Sequence, residues 1–297
     1  MGQISIRELE SSDYPALAEF NSRFPGDTRT KENWRATFDH WWTNNPAYGE
    51  EWQRGFLLLD GNEIVGFVGS FPSLFKVGDE IVTAFNGTTW RVLKPYRQWS
   101  VDLWTQNRMV SKNYLSFNTT PTQDVIKMIT KLKYNLTPWG DHKYSYLVAS
   151  NAGLFPGTPG KRYRYAVALA ASIFMFWQRI KLRLGGKDFE VSDSHTSDAE
   201  IDDLWLRAKD RYAYTNLRNA KSVKWYSMKR LMFSVYMNET LVALALYQIQ
   251  EGRSTGAKEL LMVDLWHDQN WDLKQVMGAL IRHNKGYAKR RSIPLIK

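Results

Sequence analysis

Apolar residues come in short runs separated by turn residues through most of this chain. Phe56-Leu-Leu-Leu59 and Ile64-Val-Gly-Phe-Val68 flank Asp60-Gly61-Asn62-Glu63, and Asp-Gly between two such runs predicts a β-hairpin, with Asn62-Glu63 at its turn. A further apolar strand, Ala84 to Leu93, breaks at Lys94-Pro95-Tyr96-Arg97, and a helix is expected to start near Ser100. A strand from Tyr114 to Asn118 then leads through Thr119-Thr120-Pro121-Thr122 into a helix from Gln123 to Leu132, ending at Lys133-Tyr134.

The second half repeats the first in shortened form. Met232 to Ile249 reads as another hairpin with Asn238-Glu239 at its turn, and an offset of 176 carries Trp90, at the end of the fourth strand, onto Trp266. A helix-like segment and a short terminal strand, Ile293 to Ile296, follow. Between the halves, Asn151-Ala-Gly-Leu-Phe-Pro-Gly-Thr-Pro-Gly160 marks a boundary. The expected organisation is therefore a unit over 1–150, a loop and basic apolar linker helix over 151–187, and a shorter second unit over 188–297. The linker's apolar run, Tyr165 to Trp177, has thirteen residues, against about 20 for a membrane span. Leu169, Ile173, Trp177, Ile180 and Leu184 form a stripe, with Gln178, Lys181 and Arg183 off it. An interfacial helix on anionic lipid and a buried linker helix both satisfy that pattern.

Composition narrows the field. With 43% hydrophobic and 24% charged residues the 297-residue chain is that of an ordinary globular protein, unusually rich in aromatics. There is no cysteine, so no disulfide, thiolate metal site or cysteine nucleophile enters, and reducing cytoplasm is the natural setting. The start, Met1-Gly2-Gln3-Ile4, reads as carrying no secretory signal. Of the net charge of +10, the segments 161–187 and 282–297 together supply thirteen positive charges without an acid, leaving the rest at −3. Electrostatic partners should meet those segments. His40, His142, His195, His267 and His283 lack metal-ligand spacing, so no metal is expected.

The ordered set of Phe56–Ser70, Thr88-Thr-Trp-Arg-Val-Leu-Lys-Pro-Tyr-Arg97 and Phe117-Asn-Thr-Thr120 resembles the GNAT acyltransferase superfamily. Ile4 to Leu9, with a helix after Asp13-Tyr14-Pro15, is similar to that family's opening strand and helix, and the likeness covers most of residues 3–150. Trp41-Trp-Thr-Asn-Asn-Pro46, Tyr96-Arg-Gln-Trp-Ser100 and Asn118-Thr-Thr120 further resemble tandem GNAT-type proteins of bacterial exopolysaccharide gene clusters. The resemblance implies an α/β (α+β) GNAT fold: two tandem units, each a mixed central sheet flanked by helices, the second partial. It also implies acyl-CoA as donor, acetyl-CoA foremost, and a small amine or amino-sugar acceptor in polysaccharide assembly at the inner membrane face.

By the same resemblance, Thr89, Trp90, Arg91 and Val92 of the fourth strand, Arg97, Gln98, Trp99 and Ser100 of the following turn, and Asn118 and Thr119 would contact the donor. An acyl-CoA pyrophosphate is best held by backbone N–H groups at a helix start, yet Ser100 and Asp102 stand where the family has glycines. Asp102 is expected to cap its own helix. Ile129 stands near the family's usual Tyr acid, which leaves Tyr134 and Tyr96 as candidate catalytic acids. His40 and Trp41, with Asp264 and His267, are the candidate acceptor-binding residues, in the cleft between units. A non-catalytic GNAT-like scaffold is the second reading, because the turn is altered and the acid is missing. A nucleic-acid-associated acyltransferase is the third, resting on Lys289-Arg290-Arg291 and the tryptophans.

Overall fold

The computed structural model describes residues 2–118, 122–131, 148–149, 188–194, 196–251 and 257–296. The linker helix expected over 165–184, with Thr119, Tyr134 and His195, lies outside the described residues. The chain divides into two compact units, residues 1–137 with 213–217, and 138–212 with 218–297.

The first unit opens with β1 (Ile4–Glu8), followed by α1 (Tyr14–Ser22) and α2 (Lys31–Phe38). Pro15 in the first turn of α1 costs no hydrogen bond there, and the Thr30 hydroxyl caps α2 by accepting the Asn33 N–H. Then come β2 (Gly55–Asp60), β3 (Glu63–Val77), β4 (Glu80–Val92), α3 (Ser100–Ser111), β5 (Leu115–Phe117) and α4 (Gln123–Lys131). The sheet order is β1-β2-β3-β4-β5, antiparallel throughout except for the parallel pair β4–β5. The first hairpin turns on Gly61-Asn62, one residue earlier than expected, because its first central residue needs a positive φ and glycine supplies it at 60°. A second hairpin at Gly78-Asp79 joins β3 to β4, so β4 begins at Glu80, before Ala84.

The second unit contains β6 (Val148–Ala149), β7 (Glu190–Ser192), α5 (Asp198–Ala208) and α6 (Ala220–Ser227). β8 (Tyr214–Asn216), between α5 and α6 in the chain, pairs with β3 and belongs to the first unit. The second unit continues with β9 (Leu231–Met237), β10 (Thr240–Glu251), β11 (Lys258–His267), α7 (Leu273–Arg290) and β12 (Leu295–Ile296). Its sheet order is β7-β9-β10-β11-β12, with β6 added beyond β12. Strand for strand this repeats the first sheet, including the lone parallel pair β11–β12. In chain order α5 and α6 occupy the place that α1 and α2 hold between the first two strands of their sheet. The turn pairs Asp60–Glu63 and Met237–Thr240 correspond, an offset of 177 on this strand.

Each sheet is covered on both faces, which is why its strands read as unbroken apolar runs and not as alternation. Leu57 and Leu59 pack with Leu17, Trp34, Phe38 and Trp42 from the α1–α2 side, whereas Phe56 and Leu58 pack with Leu103 of α3. Likewise Leu244 and Leu246 face Ile201, Leu204 and Val223, while Ala243 and Ala245 face Val276, Ala279 and Leu280 of α7. Each fully buried Leu or Phe here contributes about 1.5–3 kcal/mol.

Candidate functional site

The parallel pair β4–β5 is short. Its register runs only from Ala84–Leu115 to Asn86–Phe117, whereas β4 continues to Val92. From Gly87 onward that edge of β4 has no strand partner among the described residues. On the other edge, Phe67 pairs with Arg91 and Gly69 with Thr88, so Thr89 and Trp90 both face Val68. This is a β-bulge, and Thr89 takes φ +46° within it. A β-branched residue in the left-handed region is strained by about 1–3 kcal/mol and marks a place where the surroundings enforce the backbone.

The side chains around the bulge are mostly committed. Trp90 stacks on Trp104 at 5.9 Å, and Val92 packs with Leu103. Arg91 points to the α1–α2 side, where its guanidinium donates to Asp27 Oδ2 at 2.5 Å and to the Asn21 carbonyl at 3.3 Å and lies 5.0 Å from the Trp34 ring. Arg29 holds the same carboxylate at 2.9 Å and covers Trp34 at 3.5 Å. Burial opposes the charge on Asp27, but hydrogen bonds from the side chain and backbone of Arg29 and from Arg91 outweigh it and hold the carboxyl well below its usual range. Arg91 is thereby an anchor between β4 and the loop after α1. Thr88 and Thr89 bring their hydroxyls within 3.2 Å of each other.

Beyond Val92 the chain forms a 3-10 turn, Lys94–Trp99, that runs directly into α3. The Tyr96 N–H donates to the Leu93 carbonyl at 2.9 Å and the Ser100 N–H to the Arg97 carbonyl, so the turn spends amides on itself. Lys94, Arg97, Gln98 and Trp99 are exposed, and Arg97 has no described ion pair. The Tyr96 hydroxyl donates to Asp60 Oδ2 at 2.7 Å, and that hydrogen bond to the carboxylate, with burial, raises its pKa. Its proton is committed, and Tyr96 braces the turn against the β2–β3 hairpin. Asp102 sits exposed in the first turn of α3, where no side chain caps the helix, so the expected cap at Asp102 does not form. Asn118 is exposed at the end of β5.

The remaining candidates lie on other elements. His40 lies in a π-helical turn, Asp39–Thr43, that widens the end of α2. Trp41 stacks on Phe71 at 5.8 Å and meets Trp34 edge-on, a packing role. In the second unit, Asp264 accepts two hydrogen bonds from Arg218, at 3.1 and 3.2 Å. His267 is buried; its Nδ1 donates to the Asp268 carbonyl at 2.8 Å and its Nε2 accepts from Arg211. Sequence reasoning missed Asp27 as the anchor of Arg91, since its partner is 64 residues away. Among the described residues no group of three His, Asp or Glu is arranged to hold a metal, and no helix is long and apolar enough to cross a membrane.

A short parallel pair after a bulged fourth strand, in the order β-α-α-β-β-β-α-β, decides the comparison with solved structures. The fold is that of the GNAT N-acyltransferases. A GCN5-related N-acetyltransferase from Kribbella flavida matches with TM-score 0.58 and 11% identity over 99% of this chain and 63% of its own. Saccharomyces cerevisiae N-myristoyltransferase with bound myristoyl-CoA matches with TM-score 0.54 and 10% identity over 100% of this chain and 72% of its own. A conserved protein of unknown function from Enterococcus faecalis V583 gives 0.55 and 10%, covering 100% and 64%. No protein-family model and no curated protein sequence matches the chain.

Proposed function

We propose that this protein is an N-acyltransferase that takes its acyl group from acyl-CoA. The observation that carries the reading is the open β4 edge from Gly87 to Val92 with the bulge at Thr89. An open strand edge suits the amides of a pantetheine arm, which can add to it as a strand would. The bulge releases backbone groups from the ladder, and a preorganised N–H there suits the oxyanion of the tetrahedral intermediate. The pyrophosphate would fall to the exposed side chains of Arg97, Gln98 and Lys94 more than to amides, because the 3-10 turn uses several of its own.

Thr89, Trp90, Arg91, Val92, Ser100, Asn118 and Thr119 complete the donor wall in this reading, with Trp90, Arg91 and Val92 serving through backbone and shape. Acetyl-CoA is the preferred donor, and an amine of an amino sugar, in polysaccharide assembly at the inner membrane face, the preferred acceptor. Tyr134 is the remaining candidate for the acid that protonates the leaving thiolate. A non-catalytic scaffold is favoured instead by the self-bonded turn and by the Tyr96 hydroxyl held on Asp60.

Isothermal calorimetry with acetyl-CoA and myristoyl-CoA separates the two. The enzyme reading expects binding that Arg97→Ser weakens about tenfold, as loss of one charge-assisted contact does. It also expects free thiol release in the presence of amino sugars. Absence of binding by either thioester would leave the scaffold.

A further inference from the structure

The second unit carries a hollow of about 360 Å³ lined by Asp193, Ser194, Arg230, Leu231, Met232, Tyr287 and Arg291. Three elements converge on it. The chain leaving β7 brings Asp193 and Ser194, the start of β9 brings Arg230, Leu231 and Met232, and α7 brings Tyr287 with Arg291 at its C-terminal cap. Arg291 is held in place by its own helix, its guanidinium carbon lying 4.7 Å from the Tyr287 ring centre, while that ring is buried against Phe233. Neither Arg230 nor Arg291 has a described carboxylate partner, and Asp193 forms no described ion pair with either. Arg230 and Arg291 thus border a hollow whose remaining lining is Asp193, Ser194, Leu231, Met232 and Tyr287, and among the described residues neither guanidinium is ion-paired.

We propose that this hollow is a binding site for a soluble organic phosphate, a phosphate monoester on a hydroxylated ring such as a sugar phosphate. A carboxylate is satisfied by one bidentate arginine; two guanidinia together match a dianion with three acceptor oxygens. The hollow is larger than a phosphate needs and falls in the size range of small-molecule sites. Leu231 and Met232 suit the C–H face of a ring, and the Asp193 carboxylate and Ser194 hydroxyl can accept hydrogen bonds from ring hydroxyls. A sugar phosphate offers Asp193 ring hydroxyls while its phosphate meets the two guanidinia, contacts that inorganic phosphate, too small to span the hollow, makes fewer of. The site uses part of the basic C-terminal segment, which acyl transfer leaves without a role, and it is independent of the donor edge on β4.

The test is calorimetric titration of the full chain with glucose 6-phosphate, glucose and inorganic phosphate. The expected result is glucose 6-phosphate bound at least about tenfold more tightly than phosphate, with glucose silent. Arg230→Ser and Arg291→Ser should each weaken it about tenfold, the loss of one charge-assisted pair. Asp193→Ala should narrow the preference over phosphate. The control Lys289→Ser/Arg290→Ser removes two neighbouring cations outside the hollow and should change little. Equal affinity for phosphate and glucose 6-phosphate, an equal loss in the control, or no binding in a protein that melts as wild type would each overturn the site.

Discussion

Asp27→Asn tests whether β4 is anchored from the α1–α2 side. The wild-type carboxylate is 3% exposed and accepts from the Arg29 backbone N–H at 2.8 Å, from Arg29 Nη2 at 2.9 Å and from Arg91 Nη2 at 2.5 Å. Asparagine keeps the shape but loses the charge, leaving two guanidinia beside Trp34 without an anion. Removing one partner of a buried pair costs about 3–5 kcal/mol. Arg29 is 42% exposed, so water screens its share, whereas Arg91 at 19% is less relieved. The expected loss is therefore about 2–4 kcal/mol in urea unfolding followed by tryptophan fluorescence, a large part of the stability of a typical domain.

The sign with pH follows from the same site. The folded carboxyl is depressed below its ordinary 3.8, so the stability it contributes is present above that pH and lost as pH falls below it. Asparagine does not titrate, and the acid limb of the stability curve should flatten. Adding Arg91→Met should recover part of the loss, because an apolar side chain suits the space beside Phe24 and Trp34. A loss under about 1 kcal/mol, or an unchanged acid limb, would refute the anchoring argument.

Other outcomes can be checked alongside it. Gly55→Ala should cost about 3 kcal/mol or more by thermal melting, since φ is +127° and the new Cβ would lie 2.1 Å from the Val68 carbonyl, opposite the bulge; a melt within error of wild type contradicts this. Tyr96→Phe should lower the melting temperature a little and leave acyl-CoA affinity and thiol release alone, whereas a large fall in kcat would make its hydroxyl the acid after all. Burial lowers the His283 pKa against the pull of Asp193, so stability should decline as pH falls through 6.5. His283→Gln should abolish that decline in pH-dependent melts, and an unchanged slope would assign it elsewhere.

The hairpins, α3, β5 and α4 were legible because each is a local pattern: apolar runs bounded by Gly, Asn, Asp or Pro. The hairpin at Gly78-Asp79 carries a comparable local signal, Gly-Asp between the apolar residues Val77 and Ile81. β7, α5 and α6 were harder. Their apolar residues are sparse, and Ile201, Leu204 and Val223 become a face only against Leu244 and Leu246 of the sheet. At the site, the spacing of Thr88 to Ser100 located the edge and the turn, yet not their state. The guanidinium of Arg91, a candidate donor contact, is bonded to Asp27, and the carboxylate of Asp264, a candidate acceptor contact, to Arg218.

The sequence by itself determined the two hairpins at Gly61-Asn62 and Asn238-Glu239, the segments from β4 to α4 and that the pattern occurs twice, because turn chemistry and periodicity act over a few residues. Only the tertiary structure decided where β5 stops pairing with β4, that Thr89 is forced to a left-handed φ, and which charges neutralise one another. Those outcomes depend on register and on partners 36, 46 or 64 residues away, distances over which no local preference carries information.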